Sequence, residues 1–184
     1  MKTKLVKDLM VPLEEYALVS QEATLSEAVT ELKHAQEEFD PSRYKHRAIL
    51  VYDTPGHIVG KIGLTDILRA LEPKYDSMLT DKGPIHVGFT RQFQRSMIEK
   101  LRLWEEPLDN ICRKAGQVRV KSFMRPHSEG EIIEAEATLD EAIHLLVLGC
   151  HQSLLVTQGD KIIGILRLTD LFDEISNAIA ACEL

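Results

Sequence analysis

Three cysteines, seven histidines and 29 carboxylates are the side chains of this 184-residue chain that could hold a metal, attack a carbonyl or move a proton. Their spacing asks for none of these. Cys112, Cys150 and Cys182 are odd in number and more than 30 residues apart, so they fit neither a disulfide framework nor a paired-cysteine zinc knuckle. They read as reduced, mostly packed thiols. The histidines are scattered, with no HExxH, and the chain has no GxSxG elbow, no GxxxxGK[ST] loop and no GxGxxG after a strand. What recurs instead is a Thr-Asp pair, Thr65-Asp66 and Thr169-Asp170, each at the start of an apolar-periodic stretch. Taken alone, each pair is a helix N-terminus, threonine as the cap and aspartate on the dipole. Two residues ahead of the threonines stand Gly63, which permits close backbone approach, and Arg167, a surface or ion-pairing residue. The expectation is a protein that is not an enzyme.

The elements that carry these pairs occur twice. Val6–Leu32 laid over Val120–Leu146 matches Val6, Lys7, Met10, Pro12, Glu22, Ala23, Thr24, Leu25, Glu27, Ala28 and Leu32 to identical residues. Ile58–Asp66 falls on Ile162–Asp170 at an offset ten residues smaller, so the first copy carries about ten extra residues, Glu37–His46, read as a loop or helix extension. Thr24-x-x-Glu27 and Thr138-x-x-Glu141 have the form of capping boxes. Apolar residues at helical spacing follow both. β-rich runs are predicted at 17–20, 48–52 and 58–64, and again at 131–134, 153–157 and 161–168, with turns at 53–56 and 158–160. Second helices are predicted from Thr65 and Thr169. Each copy is then β-α-β-β-α, too small to bury its own sheet. Stacking two copies sheet to sheet relieves that and opens a cleft with pseudo-two-fold symmetry. The fold class is α+β.

The paired features resemble the cystathionine-β-synthase (CBS) domain, whose tandem pair is called a Bateman module. The resemblance rests on Met10-x-Pro12 and Met124-x-Pro126, the EATLxEA boxes, the apolar strand before Asp53, and the GxxxxxDhh segments (h apolar) at Gly60–Leu68 and Gly164–Phe172. It implies an adenosine-containing ligand such as AMP, ADP, ATP or S-adenosylmethionine in the cleft. It also implies Asp66 and Asp170 as ribose acceptors, since a carboxylate accepts both hydroxyls of a diol. The family's phosphate-binding hydroxyl falls on Gly63 and Arg167, and neither keeps it; Thr65 and Thr169 lie one residue before the acid instead. An arginine aimed into a cleft is a good phosphate donor. The resemblance therefore makes the Asp170 site the better placed for a phosphorylated ligand, provided Arg167 points inward.

The organisation expected is a first repeat over 1–72, a helical insertion over 73–119 and a second repeat with a C-terminal helix over 120–184. In the insertion, Phe89, Phe93, Met97, Leu101 and Trp104 form an apolar stripe with Ile98 beside them, Thr90 can cap it, and Arg91, Arg95, Lys100 and Arg102 make its other face basic. A second short helix follows from Pro107. Burial of the stripe against the module or a dimer mate is the expectation, and docking of a partner protein is the alternative. The apolar helix faces suit a homodimer. A formal charge of −7 argues against a general nucleic-acid binder. No apolar run approaches membrane-spanning length, and lysines interrupt the apolar residues of the N-terminus. The chain reads as a cytoplasmic regulatory module sensing an adenine nucleotide, acting through its oligomer or an unidentified regulated protein. The alternative is a ligand-free interaction module working through the insertion.

Overall fold

The computed structural model describes residues 4–75, 90–105 and 108–182. In the first repeat, β2 (Leu18–Ser20), β3 (Ala48–Tyr52) and β4 (Ile58–Gly63) form a three-stranded sheet, with β2 parallel and β4 antiparallel to β3. In the second, β5 (Ile132–Glu134), β6 (Ser153–Gln158) and β7 (Lys161–Arg167) repeat that arrangement, and the two-residue β1 (Val11–Pro12) adds to the free edge of β7. Helices α1 (Leu25–Glu38) and α2 (Leu64–Leu71) belong to the first repeat, α5 (Leu139–Leu148) and α6 (Leu168–Ala180) to the second. The predicted strands hold to within a residue or two, and Gly56 and Gly159 take the positive φ that the two hairpin turns require.

Strand alternation builds three apolar layers. Ile49, Val51 and Ile62 face α1, as Leu154, Val156 and Leu166 face α5, while Leu50, Leu155 and Ile165 pack the two sheets against each other. The lead-in segments are exchanged. Val6, ahead of the first repeat, is buried in the second repeat's core, and Val120 in the first repeat's. The Val6 N–H donates to Ala137 O and the Val120 N–H to Ala23 O, both at 2.9 Å. Gly60 and Gly164 make this possible: a Cβ on either would lie 2.6 Å from a carbonyl oxygen of the incoming segment, Arg125 O or Val11 O. Each repeat thus completes the other.

Several expectations are corrected. The Thr24–Glu27 capping box forms, with Glu27 N donating to Thr24 Oγ1 and Thr24 N to Glu27 Oε2. Thr138 makes no such side-chain bond, and nothing in the structure explains the difference. The second helices start before the threonines: Gly63 and Arg167 are the caps, so Asp66 and Asp170 sit three residues inside, where a carboxylate can reach back. All three cysteines are free and exposed, not packed.

The insertion contributes α3 (Arg91–Leu101), capped by Thr90, and α4 (Leu108–Gln117), which packs on α1. Phe89 and Pro107 lie outside the described residues. Full burial of the stripe does not occur among the described residues: α3 has no fully buried residue there, and Phe93 and Trp104 are 37% and 41% exposed. The helix is held at its C-terminal end, where Leu103 is buried, Trp104 N donates to Glu72 and Trp104 Nε1 to the Tyr75 hydroxyl. A regular apolar stripe specifies a face and leaves open what covers it.

Candidate functional site: a cleft with two unequal halves

Between the repeats lies a cleft of about 370 Å³, within the range that holds small ligands. Gly63, Thr65, Arg167 and Thr169 all line it, so the pseudo-symmetry brings four of the six residues singled out from sequence to one place. Asp66 and Asp170 lie just beneath its surface, each at a helix start.

The Asp66 half is closed by arginine side chains that reach into solvent. With no side chain at Gly63, the Asp66 carboxylate turns back and accepts the Gly63 N–H at 2.8 Å through Oδ2. Arg125 Nε straddles the two oxygens, donating to the same Oδ2 at 3.1 Å and lying 3.0 Å from Oδ1. Asp66 is only 3% exposed but Arg125 is 56% exposed, and Arg125 comes from the lead-in segment of the other repeat. Arg69 of α2, 43% exposed, adds a second cation 4.0 Å from Asp66 Oδ1. Across this half, Lys61 Nζ donates to Glu131 at 2.6 Å. Burial opposes ionisation of Glu131, but the hydrogen bonds from Lys61 and the Ser128 N–H, with the Lys61 charge, outweigh it and hold the carboxyl below its ordinary range.

At the Asp170 half the arginine is part of the backbone turn itself. Arg167 Nε and Nη2 each donate to one Asp170 oxygen at 2.5 Å, a bidentate pair in which both side chains are 5% exposed. Arg167 Nη1 donates to Tyr44 O at 2.7 Å and to His46 Nδ1 at 3.1 Å. His46 Nε2 donates to Glu15 O, which fixes the tautomer and leaves Nδ1 as the acceptor. Arg43 adds a second cation 3.3 Å from Asp170. Burial, then the Arg167 charge, pushes His46 down to about 4, so its ring is neutral near pH 7. The same burial raises the Tyr16 hydroxyl beside it. Arg167 does point inward, but four of its five N–H groups are taken by the chain's own Asp170, Tyr44 and His46.

The cations that do face the cleft unspent were not singled out from sequence. Lys45 and Arg47 line it, are exposed, and have no carboxylate at ion-pair distance among the described residues. Their signal was their position on either side of buried His46, just before β3, which sequence alone could not orient. A second hollow, of about 380 Å³, carries Glu14, Glu15, Glu31, Glu38 and Asp40 and repels a polyanion. Among the described residues no cluster of His, Cys, Asp or Glu has the arrangement of a metal site, and no helix is long and apolar enough to cross a membrane.

Comparison with known proteins follows the same lines. No curated protein is significantly similar to the chain. Among solved structures, CBSX2 in complex with AMP is 21% identical, covering 94% of this chain and 97% of that one with a TM-score of 0.58. A second structure, the CBS-pair protein CBSX2 from Arabidopsis thaliana, is 17% identical over 97% and 98% of the two chains, with a TM-score of 0.59. The CBS domain of a bacterial CNNM/CorC family Mg2+ transporter in complex with ATP is 15% identical over 95% and 89%, also at 0.59. These likenesses establish the fold. The CBS domain family matches over residues 6–73 and again over 120–177. Two matched segments, two stacked β-α-β-β-α units and exchanged lead-in segments make this chain a member of the CBS domain family, carrying the domain as a tandem pair.

Proposed function

We propose that the chain is a non-catalytic regulatory module that binds an adenine nucleotide, of the AMP, ADP or ATP type, in the Asp66 half of the cleft. The observation that carries this is the pair Lys45 and Arg47, two cations without an ion-pair partner among the described residues, lining a cleft that also holds a helix N-terminus with the Asp66 carboxylate just beneath it. The ribose diol takes the Asp66 oxygen that Arg125 releases. Arg125 turns with Lys45 and Arg47 toward the phosphates, and Gly63 lets the ligand approach the backbone. Thr65 and Thr169 supply hydroxyls from the two sides. The AMP and ATP complexes of structurally similar proteins support the ligand class.

Thermal shift with AMP, ADP and ATP tests this reading. A ligand at 100 times its dissociation constant adds about 2.7 kcal/mol to stability. Replacing Lys45 and Arg47 together by alanine is expected to weaken ATP about tenfold or more, and AMP less, because fewer phosphates are lost from contact. No shift with any of the three nucleotides would reject the reading.

Assembly belongs to the same proposal. Leu64 and Leu68 on α2 and Phe172 and Ile179 on α6 are exposed apolar residues on the helices that flank the cleft region, and a cytoplasmic homodimer covers them. Light scattering should give about 42 kDa against 20.8 kDa for one chain. One observation favours a second reading: the exposed apolar side of α3, with basic Arg91, Arg95 and Lys100, suits a regulated protein that docks there without any nucleotide.

A further inference from the structure

The ten residues by which the first repeat exceeds the second are where the two halves of the cleft part company. α1 runs for 14 residues where α5 runs for 10, and the chain then folds back through Phe39–His46 before β3. This return buries what it carries. Phe39 is packed between the sheets with Tyr16, Leu155 and Ile165. The His46 ring lies 4.3 Å from the Tyr16 ring and 4.2 Å from the Phe39 ring, centroid to centroid. Both guanidiniums at Asp170 sit over the Phe39 face, Arg167 at 5.0 Å and Arg43 at 5.2 Å.

The segment therefore brings to Asp170 and Arg167 a set of complementary groups: an aromatic face, a cation, a backbone carbonyl and a neutral imidazole acceptor. Each satisfies a partner that would otherwise be bare in the cleft. At the symmetric position after α5 the chain needs only Gly149–Gln152 to reach β6, and Cys150, His151 and Gln152 line the cleft with no hydrogen bond or ion pair to Asp66 among the described residues. The geometry points to the insertion as a built-in occupant of the Asp170 half, which leaves the chain one nucleotide-binding half where its symmetry offers two. This rests on the nucleotide reading for its ligand, and on the packing alone for the occupant.

Two readouts on the full chain separate those dependencies. Calorimetric titration with ATP is expected to give one site per chain in the wild type and two in Arg167→Ser, which removes the clamp and places a hydroxyl at the helix start. Histidine NMR without nucleotide is expected to find the His46 ring titrating near pH 4 in the wild type, and above about pH 5 once the segment is released. Phe39→Ala, which removes the ring under both arginines, should move both readouts the same way if Arg167→Ser fails to fold. Two ATP sites in the wild type, one of them lost in Asp170→Asn, would overturn the proposal. So would a wild-type His46 that titrates like an exposed histidine. If the wild type binds no ATP and Arg167→Ser gains a site, the occupant stands and the Asp66 assignment falls. If neither protein binds ATP, the segment blocks nothing and the proposal fails.

Discussion

The two halves of the cleft begin from the same Thr-Asp pair and are finished by different arginines. At Asp66 the residue three positions earlier is glycine, so the carboxylate caps the backbone and borrows Arg125 from the opposite repeat, largely in solvent. At Asp170 that position is itself an arginine, which takes both carboxylate oxygens and is sealed in by Arg43, Tyr44 and His46. One half is the proposed site, closed by arginines that reach into solvent. The other is a piece of core. The difference teaches that two copies of one motif can keep the same acid in different surroundings, through one residue difference and one insertion that suit each other.

The largest expected effect of this inequality is on stability. Arg167→Met strands the Asp170 carboxylate with Arg43 as its remaining cation, and removing one partner of a buried pair costs about 3–5 kcal/mol. Arg125→Met breaks a pair whose arginine is mostly in water and should cost about 1 kcal/mol or less. Denaturant melts of the two variants measure the contrast, and equal losses would erase it. Where the halves are alike, the effects should be too. Gly60→Ala and Gly164→Ala each press a methyl against a backbone carbonyl at 2.6 Å, so both should lose about 1–3 kcal/mol. A loss at only one would show that the lead-in exchange is not symmetric.

Acid should also distinguish the halves. His46 is held below its unfolded value, so the unfolded chain takes up a proton that the folded one refuses. Its contribution is complete above about pH 6.5 and is lost as pH falls toward about 4. Glu131, held below its ordinary value on the Asp66 side, contributes above about pH 4.5 and loses that contribution only on further acidification. Stability measured from pH 7 downward should therefore begin to fall before the carboxylates titrate, and His46→Gln should remove that early part.

Much of this was legible before any coordinates. The offset repeat placed the strands, and Gly63, Thr65, Arg167 and Thr169 converge because the repeat makes them symmetric. The cap positions were misjudged by two residues because Thr before Asp has the form of a cap, whereas a carboxylate at the third helical position returns to Gly63. The fate of Arg167 was not legible, since its partners Tyr44 and His46 lie more than 120 residues away and meet it only through the sheet-to-sheet packing. The same limit applies to α3. Its stripe was plain in the sequence, yet its cover depends on a neighbour that periodicity does not name. Phe93→Ala should accordingly change the stability of a monomeric sample by no more than about 0.5 kcal/mol, the smallest effect expected here. A loss in the range of a core cavity, about 3 kcal/mol or more, would show that the helix is buried after all.

The inequality of the halves is tested most directly by calorimetric titration of ATP into Asp66→Asn and Asp170→Asn, each of which keeps the shape of the side chain and removes its charge. Asp66→Asn is expected to weaken binding by about tenfold or more, equivalent to about 1.4 kcal/mol, while Asp170→Asn leaves affinity and stoichiometry as in the wild type. Loss of binding in Asp170→Asn with Asp66→Asn unaffected would contradict the account.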